Sequence, residues 1–188
     1  MKYDYIIVGA GSAGCVIANR LSEDPSTQVL LIEAGGSDRR FFIQMPIGYG
    51  VTYHQKAVNW MYMTEPSPDA ANKPSYWPRG KVMGGSSSIN AMVYVRGNSR
   101  DFDQWSEAGN PGWSYSDVLP YFKKMESWQN GPDDYRGGDG PLNVSEVSRQ
   151  LHPLCQNFLS AAQEIGIGLN KDMNGATQEG VGNYQITT

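Results

Sequence analysis

Apolar side chains gather near the start of the chain in two almost unbroken runs, Tyr3 to Val8 and Gln28-Val-Leu-Leu-Ile-Glu33. Continuous runs of this length, rich in Val, Ile and Leu, are the pattern of parallel strands covered on both faces. Between them, Ser12 to Glu23 places Val16, Ile17, Ala18 and Leu21 at helical spacing, and Asp24-Pro25-Ser26 ends that helix. Residues 3–33 therefore predict one βαβ unit. Ala34-Gly-Gly-Ser37 then breaks the pattern.

Residues 38–78 carry aromatics and prolines with little periodicity, and predict a long irregular excursion holding one strand-like piece, Trp60 to Thr64. A connection of that length is usually functional or packed against a further part of the protein. Helices are predicted over Ser99 to Ala108 and Ser114 to Met125. In the second, Ser114 is a suitable N-cap, with Asp117 three residues later. Residues 129–141 are polar and glycine-rich, and mark a turn or boundary. Leu142 to Ser145 reads as a short strand. His152 to Ile165 reads as a helix with Leu154, Phe158, Leu159 and Ala162 on one face, and Val181 to Thr188 alternates as a strand does. No internal repeat is visible.

Composition removes several function classes. A net charge of −4 provides no basic face for nucleic acid, and no apolar run reaches the roughly 18–20 residues of a membrane span. The first strand begins almost at Met1, leaving no room for a signal peptide. Cys15 and Cys155 have neither disulfide-scaffold number nor metal-site spacing. These features predict a cytoplasmic protein in a reducing compartment. The 22 glycines and 11 prolines predict many turns, and the glycines carry the chemistry.

Gly9-Ala-Gly11-Ser-Ala-Gly14 lies between the first strand and the first helix. Gly9 permits the tight turn, Gly11 lets the backbone approach a pyrophosphate, and Gly14 lets helix and strand pack closely. Amides from Gly11 through Ser12 and Ala13 then face the phosphates, aided by the helix dipole. Glu33 ends the second strand nineteen positions after Gly14. A carboxylate there accepts from ribose hydroxyls and repels a 2′-phosphate, which disfavours NADP. A second segment, Gly84-Gly85-Ser86-Ser87-Ser88, offers amides and hydroxyls to further polar atoms of a long dinucleotide. It runs straight into Asn90, Met92 and Tyr94 at period two, which a mere linker would not do.

The pattern Gly80-Lys-x-x-Gly84-Gly85-Ser86-Ser87-x-Ile89-Asn90-x-x-x-Tyr94-x-x-Gly97, followed by Asp103, resembles the first signature of the glucose–methanol–choline (GMC) flavoprotein family. The resemblance extends from Glu33-Ala-Gly through Trp60 to Asp103-Gln-Trp105. Asn90-Ala-Met-Val-Tyr-Val-Arg-Gly97 and Tyr121-Phe-Lys-Lys are similar to the bacterial choline-dehydrogenase-like branch. Met83 departs from the usual aliphatic residue or Trp, a minor change in an apolar position. The resemblance implies an α/β fold: a Rossmann-like FAD-binding domain of GMC type over 1–140, which includes the 38–78 excursion and a 79–97 flavin loop. The start of an α+β substrate-binding domain would occupy 141–188. It implies FAD held at its ADP end by Gly9, Gly11, Ser12, Ala13, Gly14, Glu33 and Ala34, with Trp60 lining the site. Gly80, Val82, Gly85, Ser86, Asn90, Ala91, Met92 and Val93 would meet the ribityl and ring end. Arg79 and Lys81 are more simply solvated charges. Ile89 stands where some relatives link a His covalently to the flavin, so the FAD is expected to be non-covalent.

The activity implied is oxidation of a primary alcohol or choline-like substrate by hydride transfer to flavin N5. That chemistry needs a base, and the family's catalytic His would lie beyond Thr188. His54 and His152 fit surface or packing roles, and no metal or Ser-His-Asp set offers another mechanism. The chain is therefore expected to be the N-terminal part of such an enzyme, partnered by its C-terminal remainder. The alternatives are a catalytically inert FAD-binding subunit or fragment, or a lyase or decarboxylase on the same scaffold.

Overall fold

The computed structural model describes residues 2–188, which form two compact units, 2–91 and 92–188. In the first, β1 (Tyr5–Val8) and β2 (Val29–Ile32) pair in parallel through α1 (Ser12–Leu21), giving the predicted βαβ unit. One expectation is corrected here. The strands are not covered on both faces: Ile6 is 61% and Val8 83% exposed. Within this unit β1 and β2 make a two-stranded sheet with a single crossover helix, which leaves apolar surface open.

The excursion has more order than its lack of periodicity suggests. It contains α2 (Phe41–Gln44), α3 (Tyr49–Thr52) and an antiparallel pair, β3 (Tyr62–Met63) with β4 (Tyr76–Trp77). Asn59 organises it. Its buried side chain donates to the Tyr53 carbonyl at 2.8 Å and accepts from the amides of Met61 and Arg79 at 2.9 and 3.0 Å. Val58, Val82 and Ile89 form the core of the unit, with Ile43 packed against them.

The second unit opens with β5 (Val93–Tyr94), followed by α4 (Ser99–Glu107) and α5 (Tyr115–Met125). The predicted cap of α5 is present in full. Ser114 accepts from the Asp117 amide, and the Asp117 carboxylate accepts from the Ser114 amide. Next come β6 (Glu126–Trp128) and β7 (Leu142–Val144), which pair in parallel, then α6 (Pro153–Glu164) and β8 (Gln185–Ile186), antiparallel to β5.

Tyr94, Trp128 and Val144 form this unit's core, with Leu142 against them. Packing groups the chain into two units that meet at Ala91/Met92, and residues 137–140 are bound into the second. Trp128 N donates to the Gly137 carbonyl and Gly140 N to that of Glu126. The expected apolar face of α6 is only half covered. Leu159 and Ala162 are buried, while Leu154 and Phe158 remain 64% and 69% exposed. Among the described residues no helix is long and apolar enough to cross a membrane.

Candidate functional site

Two glycine-rich segments meet in the first unit through direct backbone hydrogen bonds. The stretch from Arg79 to Gly84 runs between residues 58–60 on one side and the loops after β1 and β2 on the other. Trp60 N donates to the Arg79 carbonyl and Lys81 N to that of Val58, both at 2.8 Å. Met83 N reaches the Gly36 carbonyl at 2.9 Å, and Gly84 N the Ala10 carbonyl at 2.7 Å. The second segment is thus stitched onto the first turn.

These close approaches explain two of the glycines. A Cβ at Gly14 would sit 1.9 Å from the Gly9 carbonyl oxygen, so helix and strand could not pack as they do. Gly85 has φ +59°, and a Cβ there would lie 2.8 Å from the Gly11 Cα. Both positions need a residue without a side chain.

The two segments line one cleft of about 470 Å³, within the range of cofactor pockets. Gly9, Gly11, Glu33, Ala34, Trp60, Gly80, Gly85 and Ser86 all border it. Gly11 caps α1 without a side-chain hydrogen bond, and no acidic residue occupies the first turn. The helix N-terminus therefore offers backbone N–H groups and a positive dipole end suited to an anion. Ser12 and Ala13 lie in that first turn and are exposed, while Gly14 packs behind it. The Glu33 carboxylate is held by Ala10 N at 2.8 Å on one oxygen and Gly35 N at 2.9 Å on the other. Each oxygen keeps a lone pair for a further donor. A Ser86 hydroxyl accepts from Gly80 N at 3.1 Å, closing the far side of the second turn.

Other candidates are placed differently. Val82 is fully buried in the core and does not border the cleft, and its carbonyl accepts from Gly85 N at 2.7 Å. Asn90 and Ala91 are exposed at the end of the first unit, and Met92 and Val93 begin the second. Ile89 is buried with Val58 and Val82 and carries no nucleophile.

Tyr62 and Arg79 also line the cleft, and neither was singled out as a ligand residue. The Trp60 and Tyr62 rings stack at 5.8 Å across Met61, whose φ of +55° breaks the strand alternation between them, so sequence pattern alone did not pair them. Lys81 Nζ lies 4.6 Å from the Trp60 ring centre and the Arg79 guanidinium 5.1 Å from that of Trp77. Both charges thus have aromatic partners as well as solvent.

Neither histidine borders this cleft. His54 stacks on Tyr76 at 5.7 Å, and His152 is itself the N-cap of α6, its Nδ1 accepting from the Leu154 amide at 3.2 Å. Cys15 is half-buried, with its thiol donating to the Ala10 carbonyl. No metal-binding group of His, Cys, Asp and Glu occurs among the described residues.

The sequence profile of the GMC oxidoreductase family matches residues 3–188. An oxygen-dependent choline dehydrogenase of Vibrio vulnificus is 50% identical over 98% of this chain, which covers 33% of that protein. The crystal structure of a pyridoxine 4-oxidase from Mesorbium loti superposes with a TM-score of 0.93 at 34% identity. That match covers all of this chain and 37% of the oxidase. An FAD-dependent oxidoreductase from Chaetomium thermophilum gives a TM-score of 0.85, also at 34% identity, over 99% of this chain and 33% of its own. The chain spans about a third of the length of the curated relatives it matches.

Proposed function

The chain belongs to the GMC oxidoreductase family, and from that premise we propose that it supplies the FAD-binding part of an enzyme oxidising a primary alcohol or choline-like substrate. The observation that carries this reading is the junction of the two glycine segments. Gly84 N donates to the Ala10 carbonyl, which sets both turns, Glu33 and Trp60 around one cleft. A cleft whose walls tolerate no Cβ at Gly85, with an uncapped helix N-terminus and a carboxylate at hand, fits an extended dinucleotide.

In this reading Gly11, Ser12 and Ala13 hold the diphosphate through backbone N–H groups, while Gly9, whose own N–H is donated to the Ile32 carbonyl, makes the turn beside it with φ +97° and Gly14 keeps the helix close behind them. Glu33, beside Ala34, accepts from the adenosine ribose, and Trp60 lines that end. Gly80, Val82, Gly85, Ser86, Asn90, Ala91, Met92 and Val93 serve the ribityl and ring end. When bound, the flavin supplies the hydride acceptor at N5. The base that takes the hydroxyl proton is a His on a C-terminal remainder, beyond Thr188. Residues 1–140 belong functionally to the cofactor domain, and 141–188 open the substrate domain. Cys15 and Cys155, both free thiols, support a cytoplasmic setting.

FAD is held without a covalent bond, because the linkage position is the buried, unreactive Ile89. Acid precipitation of the intact natural polypeptide should release all yellow flavin into the supernatant. Flavin retained in the pellet contradicts the non-covalent assignment, and NAD found in its place overturns the cofactor.

A further inference from the structure

Trp60 and Tyr62 bring two aromatic rings to the border of the cleft in the first unit, and among the described residues that line it they are the only rings. Both stay close to half exposed. Their planes lie within 7° of parallel, with centres 5.8 Å apart. Strand alternation does not produce this arrangement, because Met61 stands between them with φ +55°. A left-handed conformation is unfavourable for a non-glycine residue and persists only where the surroundings over-determine the backbone.

Asn59 supplies that constraint. Its side-chain oxygen accepts from Met61 N at 2.9 Å and from Arg79 N at 3.0 Å. Backbone amides only donate, so the oxygen must face them and the amino group must point the other way. There Nδ2 donates to the Tyr53 carbonyl at 2.8 Å and to the Tyr76 hydroxyl at 3.1 Å, and that hydroxyl itself donates to the Tyr53 carbonyl. Both lone pairs and both N–H groups of a buried amide are thus used. Arg79 is held twice, since its carbonyl also accepts from Trp60 N at 2.8 Å. One side chain therefore fixes the turn between the two rings and ties it to the segment opposite, whose Arg79 and Gly80 border the same cleft.

We propose that Asn59 is a positioning residue for the cofactor cleft, holding Met61 in the left-handed conformation that lays Trp60 and Tyr62 together as the surface for the adenine base. The inference rests on reading the cleft as the FAD site. With the diphosphate at the α1 N-terminus and the ribose on Glu33, the base carried by that ribose needs a planar apolar surface, and these rings provide it. Asn59 does not border the cleft and acts only through the rings.

The test compares FAD with FMN, which has the flavin ring, the ribityl chain and one phosphate but no adenosine. Asn59→Leu removes the oxygen at similar volume, Asn59→Asp keeps it, and Tyr62→Ala removes one ring while leaving every Asn59 hydrogen bond in place. In the intact natural polypeptide freed of flavin, Asn59→Leu and Tyr62→Ala should each weaken FAD binding by roughly 5- to 150-fold, the range for losing a base–aromatic stack. FMN affinity, read by its competition against FAD, should stay as it was, and Asn59→Asp should bring back most of the FAD affinity. Equal losses for FAD and FMN would make Asn59 merely structural and overturn the proposal, as would undiminished FAD binding by Asn59→Leu. If Asn59→Leu does not fold, Asn59→Ser, too short to reach both amides, is held to the same criterion. If the unaltered polypeptide takes up no FAD, the functional reading fails and this inference with it. FAD uptake blind to Asn59→Leu and Tyr62→Ala overturns this inference alone.

Discussion

At Glu33 one carboxylate answers two backbone amides, Gly35 N on one oxygen and Ala10 N on the other, while facing the cleft with its remaining lone pairs. Its structural and ligand-binding roles are therefore not alternatives. Ala10 is fully buried, so Glu33→Ala leaves a buried N–H without its acceptor, at a cost of about 1–3 kcal/mol. The flavin-free variant should melt at a lower temperature for that reason. It should also lose the ribose hydrogen bonds, worth about 1.5–3 kcal/mol to a charged acceptor, or roughly 10- to 150-fold in FAD affinity. The spectrum of the flavin that still binds should be nearly unaltered. Calorimetry of the flavin-free protein and FAD titration separate the two effects. A lowered melting temperature with unaltered affinity would leave Glu33 holding only the loops.

Among the elements, those whose signals are local were legible in the sequence. The βαβ unit follows from two apolar runs around a helical stripe, and the α5 cap from Ser114 and Asp117 three residues apart. What the pattern could not convey is which neighbour covers an apolar face. Val8 and Phe158 have the character of buried residues, yet both remain exposed. The buried charge network of the second unit was equally hidden, because Arg96, Glu126, Arg136 and Asp172, which pair with one another, are far apart in the chain and each alone resembles a surface charge. It has a consequence in acid. Burial alone would raise the Asp172 pKa, but hydrogen bonds from Gln185 and the Asn174 amide, with the Arg136 guanidinium beside it, bring it below its ordinary value of 3.8. The unfolded chain then binds the proton more readily. The stabilisation is present above that ordinary value and disappears as pH falls through the lower folded value. Melting temperatures measured from about pH 6 down to about pH 2 should fall steeply below pH 4, and Asp172→Asn should start lower and fall less. Asp24, kept low by the Ser26 hydroxyl and amide, titrates in the same window in both proteins. An equal slope with and without Asp172 would remove it from the acid response.

For the molecule as a whole, the cleft is bordered by groups suited to hold a cofactor and by no histidine to take a proton from an alcohol. Its border consists of glycines, Val8, Ile32, Glu33, Ala34, Trp60, Tyr62, Arg79 and Ser86. Glu33 holds two amides and turns its remaining lone pairs to the ribose proposed above, and both histidines are occupied elsewhere: His54 against Tyr76, and His152 on the Leu154 amide. Proton removal needs a positioned group within hydrogen-bond reach, typically worth about 10²–10⁴-fold in rate. Hydride transfer also needs a site from which water is excluded. Here the apolar side chains of β1, and Trp60 and Tyr62 at the cleft, lie open to solvent. Residues 1–188 expressed alone and mixed with FAD should therefore show no alcohol-dependent bleaching of the flavin under anaerobic conditions. Supplying the C-terminal remainder should restore it. Choline and a simple primary alcohol, tested side by side, read out the substrate class in the restored complex. Robust reduction by the 188 residues alone would place the base within this chain, and His54→Ala would be the first variant to examine.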